Sequence, residues 1–324
     1  MIRVQAHARL HFGLLSPAVV DSWPNIDGDE VVPARRFGGV GLMIEEPRLV
    51  LRAEPAREWS ATGTMAERAL EMVERVCDAH CPPQPSPLAL TIETAVPEHA
   101  GFGSGTQLGM AVAKVIAVAA GHADWGAVDL ARRVGRGLRS GIGVYGFEHG
   151  GLIVEAGKRA DEPVAPLIAR EIPPEAWRIV VVLPESTPGI HGGPERAAFE
   201  ELAVQPDATD SLCRLVLLGM LPALREKDCR AFGEALYDFN SRVGELFAAA
   251  QGGRYANSLC SEIIRFLRGI GVAGVGQSSW GPGLFAIVED AARAEDVARR
   301  IRQRFSTRGI WVTRPAGPAV VTTA

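Results

Sequence analysis

Pro97-Glu98-His99-Ala100-Gly101-Phe102-Gly103-Ser104-Gly105-Thr106-Gln107 lies between a strand and a helix, and its reading decides the fold. Upstream, Leu88, Leu90 and Ile92 alternate with Ala89 and Thr91, the period of a half-buried strand. Downstream, Thr106 to Ala120 is apolar almost all round and stops at Gly121, which predicts a buried helix. Glycines let backbone N–H groups turn toward a ligand, and a helix N-terminus adds partial positive charge. Together they predict an anion cradle, with a glycine turn that holds no ligand as the alternative. A P-loop needs a lysine after its last glycine, and a dinucleotide fingerprint needs its third glycine one position later. Neither spacing is present.

Working outward, Ile2 to Ala6 and Arg48 to Ala53 alternate as strands, and Gly38 to Leu42 reads as a glycine-bent strand or loop. Met65, Ala69, Met72, Val73 and Val76 form a helical stripe that ends at the proline-rich run 81–87. Trp125 to Leu138 predicts a further helix and Gly150 to Ala156 a strand. The proline-rich, charged stretch 161–175 is the candidate boundary. Beyond it come a buried strand at Arg178 to Leu183 and helices around 195–203, 209–224, 228–248 and 257–268. Short strands follow at Val272 to Val275 and Leu284 to Val288, then a helix over 291–304 capped by Asp290, and a final strand at 310–312. There is no βαβ rhythm, so the expectation is α+β in two lobes, 1–170 and 171–324, the second rich in helix.

Composition narrows the function. The 324 residues are 47% hydrophobic and 22% charged with a net charge of −4, a globular chain without the basic excess of a general nucleic-acid binder. Of 34 basic residues only Lys114, Lys158 and Lys227 are lysines, so any anion held by side chains is held mainly by arginine. Five cysteines, with no CxxC pair or zinc spacing, predict reduced thiols in the cytoplasm. The N-terminus lacks a signal-peptide pattern, and no run reaches the ~18 apolar residues of a membrane span.

The Gly101–Gln107 motif resembles the second signature of the GHMP kinase superfamily, and Gly274-Val275-Gly276-Gln277-Ser278-Ser279-Trp280-Gly281-Pro282-Gly283 resembles its C-terminal glycine motif. The resemblance implies a two-lobed fold, with an N-terminal lobe like domain 2 of ribosomal protein S5 and a ferredoxin-like, helix-rich C-terminal lobe. It also implies that the second glycine motif supports the first from the other lobe. The superfamily's SGxxD element, which supplies an aspartate in the kinases, is here Ser140-Gly141-Ile142-Gly143-Val144, and Glu148 stands at the wrong offset. The N-terminal element that carries a lysine in many kinases is here Ala8-Arg9-Leu10-His11-Phe12-Gly13-Leu14. Phosphoryl transfer needs metal coordination and a positioned base, so these replacements predict a poor kinase. An ATP-dependent small-molecule kinase is the competing reading.

RLHFGLL at 9–15, RRFGGVGLMI at 35–44, GFGSGTQ at 101–107, GRGLRSGIG at 135–143, FEHGG at 147–151 and the stretch 184–199 are similar to a specific branch, the β-ribofuranosylaminobenzene 5′-phosphate synthases. That resemblance implies a decarboxylating phosphoribosyltransferase of tetrahydromethanopterin synthesis. It joins 5-phosphoribosyl-1-pyrophosphate to 4-aminobenzoate, with 4-hydroxybenzoate left open, and releases CO2 and pyrophosphate. Such chemistry needs anion binding and exclusion of water more than a protein nucleophile. It makes Arg9, His11 and His191 the catalytic candidates. The substrate-binding candidates are Arg35, Arg36, Gly101, Gly103, Ser104, Gly105, Thr106, Gln107, Arg136, Arg139, Gly274 and Gly276. Arg9 and His11 share a strand face that is either site or solvated edge, Arg35 and Arg36 are either site or loop-surface charges, and Arg136 and Arg139, one helical turn apart, have a solvated helix end as their alternative. Mg²⁺ is expected with the pyrophosphate, with no organic cofactor, no nucleic-acid or membrane partner, and a homodimer.

Overall fold

The computed structural model describes residues 1–16, 22–24, 30–33, 35–79, 85–186 and 206–324. Its first sheet is built on β1 (Ile2–Ser16), paired antiparallel with a long strand over 37–55. Numbered along the chain, β2 (Ser22–Pro24) and β3 (Glu30–Pro33) form a separate pair, and the long partner of β1 is β4 (Phe37–Pro55). The two segments expected at 38–42 and 48–53 are therefore one strand. Val40, Leu42, Ile44, Leu49 and Leu51 are buried along it, so apolar packing continues through the glycines. The β1–β4 register shifts between His7 and Ala8 and again between His11 and Gly13. Bulges of this kind bend a strand and re-aim its side chains, and the second falls beside the cavity described below.

β5 (Ser60–Gly63) and β6 (Leu88–Thr94) extend the sheet past β4. α1 (Ala66–Asp78) and α2 (Ser104–Ala119) pack together against it. α2 has no solvated face because β1, β4, α1, α3 (Ala127–Arg133) and α4 (Ile142–His149) all contact it. That explains its all-round apolar sequence. The helix expected at 125–138 stops at Arg133, because Gly135 and Gly137 take positive φ of 64° and 82°. β7 (Leu152–Glu155) pairs with β4, and β8 (Leu167–Glu171) pairs with β7.

The chain enters the second sheet at β9 (Arg178–Pro184). α5 (Pro206–Leu215), a π-helical turn (Val216–Met220), α6 (Leu221–Arg225), α7 (Cys229–Leu246), α8 (Ala248–Gln251) and α9 (Ser258–Gly269) follow. β10 (Gly274–Gln277), β11 (Leu284–Val288), α10 (Ala291–Arg304) and β12 (Thr307–Thr313) complete the lobe, with strand order β10-β11-β9-β12. Asp290 caps α10, its carboxylate accepting from the Arg293 N–H at 2.8 Å. Alternate residues of β9 and β11 face opposite ways. Val180, Val182, Leu284 and Ala286 pack with α9 and α10, whereas Ile179, Val181, Phe285 and Ile287 join the core shared with the first lobe. Burial on both faces is why these strands read as unbroken apolar runs. β13 (Val320–Thr323) returns to pair with β1, so the last residues of the chain belong to the first sheet.

Several contacts join the lobes. Phe12 meets Phe285 with ring centroids 5.1 Å apart. The β10–β11 turn docks on the glycine loop: Gly283 N–H donates to Ala100 O at 3.0 Å, Ser278 Oγ to Gly101 O at 2.7 Å, and Ser279 N–H to His11 O at 2.9 Å. Asn240 of α7, 5% exposed, donates to Phe12 O at 2.7 Å and Gln277 O at 2.9 Å, and accepts from Gln277 N–H at 2.9 Å. One side chain thus ties a helix to a strand of each lobe. Replacing Asn240 by Ala strands three buried backbone groups, and urea denaturation is expected to register a loss of about 3 kcal/mol. A loss under about 1 kcal/mol would mean that water or a neighbour replaces the tie.

Candidate active site

The glycine loop runs into α2 through Gly103, whose φ of 76° is left-handed. No side chain caps the helix and no acidic residue stands in its first turn. Thr106 N–H and Gln107 N–H both donate to Gly103 O, at 3.0 and 3.1 Å. The Ser104 and Gly105 N–H groups are the part of this terminus that a ligand can use. Two guanidinium groups converge beside Gly105, where an added Cβ would lie 3.5 Å from Arg136 Nη2 and closer still to Arg68 Nη2. Burial, then the charges of Arg68 and Arg75, lowers the Arg136 pKa to about 10, and its Nε is buried without a partner. Arg136 stays protonated near neutral pH, in a field that favours an anion.

A cavity of about 240 Å³ opens between the lobes. Arg9, His11, Thr106, Arg136, Arg139 and Ser140 line it from the first lobe. Val243, Phe247, Tyr255 and Trp280 face them from the second. Phe247 and Trp280 meet edge to face at 4.7 Å, a rigid aromatic wall. Arg254 also lines it, paired with Glu245 at 2.5 Å. Among the described residues the lining has no Asp or Glu. The first-lobe wall is therefore cationic, and the second-lobe wall is aromatic with Arg254 neutralised by Glu245, an arrangement that suits an anionic and an aromatic ligand bound side by side.

His11 points into this space from the bulge in β1. Its Nε2 lies 3.2 Å from Ser140 Oγ, while its backbone N–H donates to Ser278 Oγ at 3.0 Å. Burial, then the charges of Arg9 and Arg139, holds its pKa well below the usual imidazole value, so the ring is neutral at pH 7. Behind Ser140 lies Glu155, fully buried, whose Oε2 accepts from Gly141 N–H at 2.5 Å.

Two family models match the chain: the GHMP kinases N-terminal domain over residues 65–151 and the GHMP kinases C-terminal domain over 220–307. The β-ribofuranosylphenol 5′-phosphate synthase of Methanothermobacter thermautotrophicus is 31% identical over 310 residues, covering 89% of this chain and 88% of its own. The protein of the same name from Archaeoglobus fulgidus is 29% identical over 324 residues, covering 95% and 94%. The chain belongs to the β-ribofuranosylphenol 5′-phosphate synthase family. It is accordingly an enzyme of this synthase type. Among solved structures, a homoserine kinase from Cytophaga hutchinsonii superposes with TM-score 0.67 at 14% identity over 99% of this chain and 97% of its own. Mevalonate diphosphate decarboxylase from Staphylococcus aureus superposes with TM-score 0.66 at 14% identity over 100% and 99%. The fold is that of the GHMP kinases, α+β and two-lobed.

Within this synthase the structure sorts the expected residues. Arg9, His11, Thr106, Arg136 and Arg139 meet at the cavity. Arg136 and Arg139 stand on a loop rather than one helical turn apart, because α3 ends before them. Gly101, Gly103, Ser104 and Gly105 form the loop and α2 terminus beside the cavity. Arg35 is instead engaged bidentately by Glu162 at 2.8 and 3.2 Å, and neither it nor Arg36 lines the cavity. Gln107 is fully buried and ties α2 to α4 through Gly143 O at 2.9 Å. Gly274 and Gly276 lie inside β10, where an added Cβ would meet Gly233 Cα at 3.0 Å and Asn240 Oδ1 at 2.5 Å; they serve lobe packing. His191 lies outside the described residues.

Val144, in place of the kinase aspartate, is fully buried in α4, and Glu148 accepts from Ala127 N–H at 3.1 Å. The aromatic wall, Arg68, Ser140 and Glu155 escaped the sequence reading, although Glu155, a lone charge in the apolar run Leu152-Ile153-Val154-Glu155, was a signal. A Cβ at Gly103 would stand 2.7 Å from Arg9 Cγ, and Val there also strains the positive φ. Gly103→Val is expected to displace Arg9 and lower turnover at least 100-fold with an unchanged far-UV circular dichroism spectrum. Wild-type turnover in this variant would remove the loop from the site.

Proposed function

We propose that this enzyme transfers the phosphoribosyl group of 5-phosphoribosyl-1-pyrophosphate to the carboxylate-bearing ring carbon of a 4-substituted benzoate, with loss of CO2 and pyrophosphate. The observation that carries this reading is the two-walled cavity, cationic and carboxylate-free on one side and aromatic on the other. The pyrophosphate or 5′-phosphate would sit at the N-terminus of α2 against Arg136, with Arg9 and Arg139 beside it. The benzoate ring would lie on Phe247 and Trp280. As the ribose C1–O bond breaks, the sugar gains oxocarbenium character. A cavity walled by both lobes keeps water from that cation, and the arginines stabilise the charge growing on the leaving group. The para substituent pushes electron density into the ring, the ring carbon bonds to ribose C1, and departure of CO2 restores aromaticity.

The relatives' names describe a phenol product. Carried to this chain, they favour 4-hydroxybenzoate over 4-aminobenzoate. Among the described residues no three metal-ligating side chains gather as a cage, and the cavity lining offers no carboxylate. Mg²⁺ therefore belongs on the pyrophosphate oxygens as part of the substrate, where it neutralises charge. The reading includes a cytoplasmic homodimer that acts in tetrahydromethanopterin synthesis.

The test is incubation with 5-phosphoribosyl-1-pyrophosphate, Mg²⁺ and either benzoate, following pyrophosphate and CO2. Stoichiometric release of both is expected; no release alongside ATP turnover with small alcohols would promote the kinase reading. Arg136→Met removes the buried guanidinium at the helix terminus. It is expected to raise the KM for 5-phosphoribosyl-1-pyrophosphate about tenfold or more, a charged hydrogen bond being worth about 1.5–3 kcal/mol. An unchanged KM would move the pyrophosphate elsewhere.

A further inference from the structure

Glu155 is a carboxyl group where the alternation of β7 calls for a core side chain. Besides the bond from Gly141 N–H, its Oε1 is buried with no full hydrogen bond, and Ser140 is the hydroxyl that approaches the group. Ser140 Oγ also receives Ile142 N–H at 3.3 Å and faces His11 Nε2 at 3.2 Å. The loop cannot stand off from the carboxyl, since a Cβ at Gly141 would lie 2.7 Å from Oε2. From β1, Arg9 and His11 are the titratable groups on this side, and from α4 it is Tyr145, whose hydroxyl donates to Ala165 O at 2.8 Å. β4 and β8 oppose Glu155 with Gly39 and Leu167, which do not titrate.

The direction of each bond follows from counting protons. Once ionised, above about pH 7, the Glu155 carboxylate only accepts, and Ser140 is the hydroxyl whose single proton can turn to it. Ser140 Oγ must then accept from His11, so Nε2 carries the ring hydrogen and Nδ1 keeps a bare lone pair. Since the ring is neutral, that lone pair is what His11 offers the cavity.

We propose that Glu155 is a positioning residue that acts through Ser140 to hold His11 in the tautomer whose Nδ1 accepts the para-hydroxyl proton of a 4-hydroxybenzoate bound in the interlobe cavity. The proposal rests on the function proposed above and assigns selectivity within it. His11 Nδ1 takes the phenol proton as the ring carbon bonds to ribose C1 and the C1–O bond breaks, its electron pair leaving on pyrophosphate. The C–CO2 bond then breaks, its pair restoring the ring, and the proton returns from His11 to the phenolate oxygen. No proton is gained or lost overall. A 4-amino group donates its lone pair without deprotonation, so the relay favours the hydroxyl substrate.

The experiment compares kcat/KM for 4-hydroxybenzoate and 4-aminobenzoate between pH 5.5 and 8.5 in wild type and in Glu155→Gln. Burial first of all raises the Glu155 pKa to about 7, against the opposing bonds of Ser140 and Gly141 and the charge of Arg9. The ionised form dominates above that value, so wild-type turnover of 4-hydroxybenzoate is expected to rise through pH 7 and level off. In Glu155→Gln the amide NH2 donates to Ser140, whose proton turns to His11 Nε2 and shifts the hydrogen to Nδ1. The pH limb should vanish and turnover of 4-hydroxybenzoate should fall about 100-fold, the usual share of a general base, and at least tenfold more than turnover of 4-aminobenzoate. Ser140→Ala, which leaves the buried carboxyl in place, should move the same ratio. Equal losses for both benzoates with the limb intact would reduce Glu155 to a folding role. Nitrogen-15 NMR of the His11 ring in the full chain reads the tautomer without turnover. Nδ1 bare at pH 8 and protonated in Glu155→Gln is expected, and a protonated Nδ1 in wild type overturns the relay. That tautomer together with no benzoate-dependent pyrophosphate release would instead reject the proposed function, and the hydroxyl acceptor with it.

Discussion

The interlobe cleft depends on one contact, the seating of the β10–β11 turn on the glycine loop. Ala100 and Gly101 carbonyls accept from Gly283 and Ser278, and the Ser278 hydroxyl is in turn the acceptor for His11 N–H. A side chain at Gly101 would collide with Ser278 O, and one at Gly283 with the Phe102 ring, so the two loops approach at a distance only glycine permits. Phe102 is buried beneath this junction and meets Trp311 of β12 edge to face at 6.4 Å. The loop that shapes the anion site is thus held by the opposite lobe, and so is the strand bulge that aims His11.

The same junction explains the charge distribution. Once the lobes are packed, the N-terminus of α2, Arg9, Arg136 and Arg139 face a space lined on its far side by rings. Away from the cavity, Arg35 is paired with Glu162 and Arg314 with Glu45, and Arg254 on the cavity's far side is paired with Glu245. Exposed pairs of this kind contribute little to stability. Arg136 differs, because it is part-buried next to the like charges of Arg68 and Arg75, the kind of group that marks a candidate ligand site.

The sequence carried the two-lobed class, most elements and the loop, because period and glycine spacing are local signals, whereas the return of β13 to the first sheet is not local. The continuous run Arg178 to Leu183 and the cap at Asp290 are examples that local physics decides. What it lacked was the direction of side chains across chain separations. Arg35 and Arg136 look alike in sequence, and only the fold brings Glu162 to one and Arg68 to the other. Gly276 looked like a ligand-contacting glycine, yet the approach it permits is that of Asn240. The aromatic wall escaped for the same reason: Phe247 and Trp280 stand 33 positions apart in the chain, and only the fold brings their rings together.

Val144, fully buried in α4, stands where the resemblance to the GHMP kinases places an aspartate, so this position contributes no carboxylate. The buried carboxyl of Glu155 lies behind Ser140 and Gly141, and burial raises its pKa to about 7. The cleft therefore keeps its positive wall intact while retaining one neutral imidazole at its edge. A site arranged this way sets guanidinium groups opposite aromatic rings and has no carboxylate among the described residues that line it. In this GHMP-kinase fold the character of the interlobe cleft is set by where negative charge is withheld.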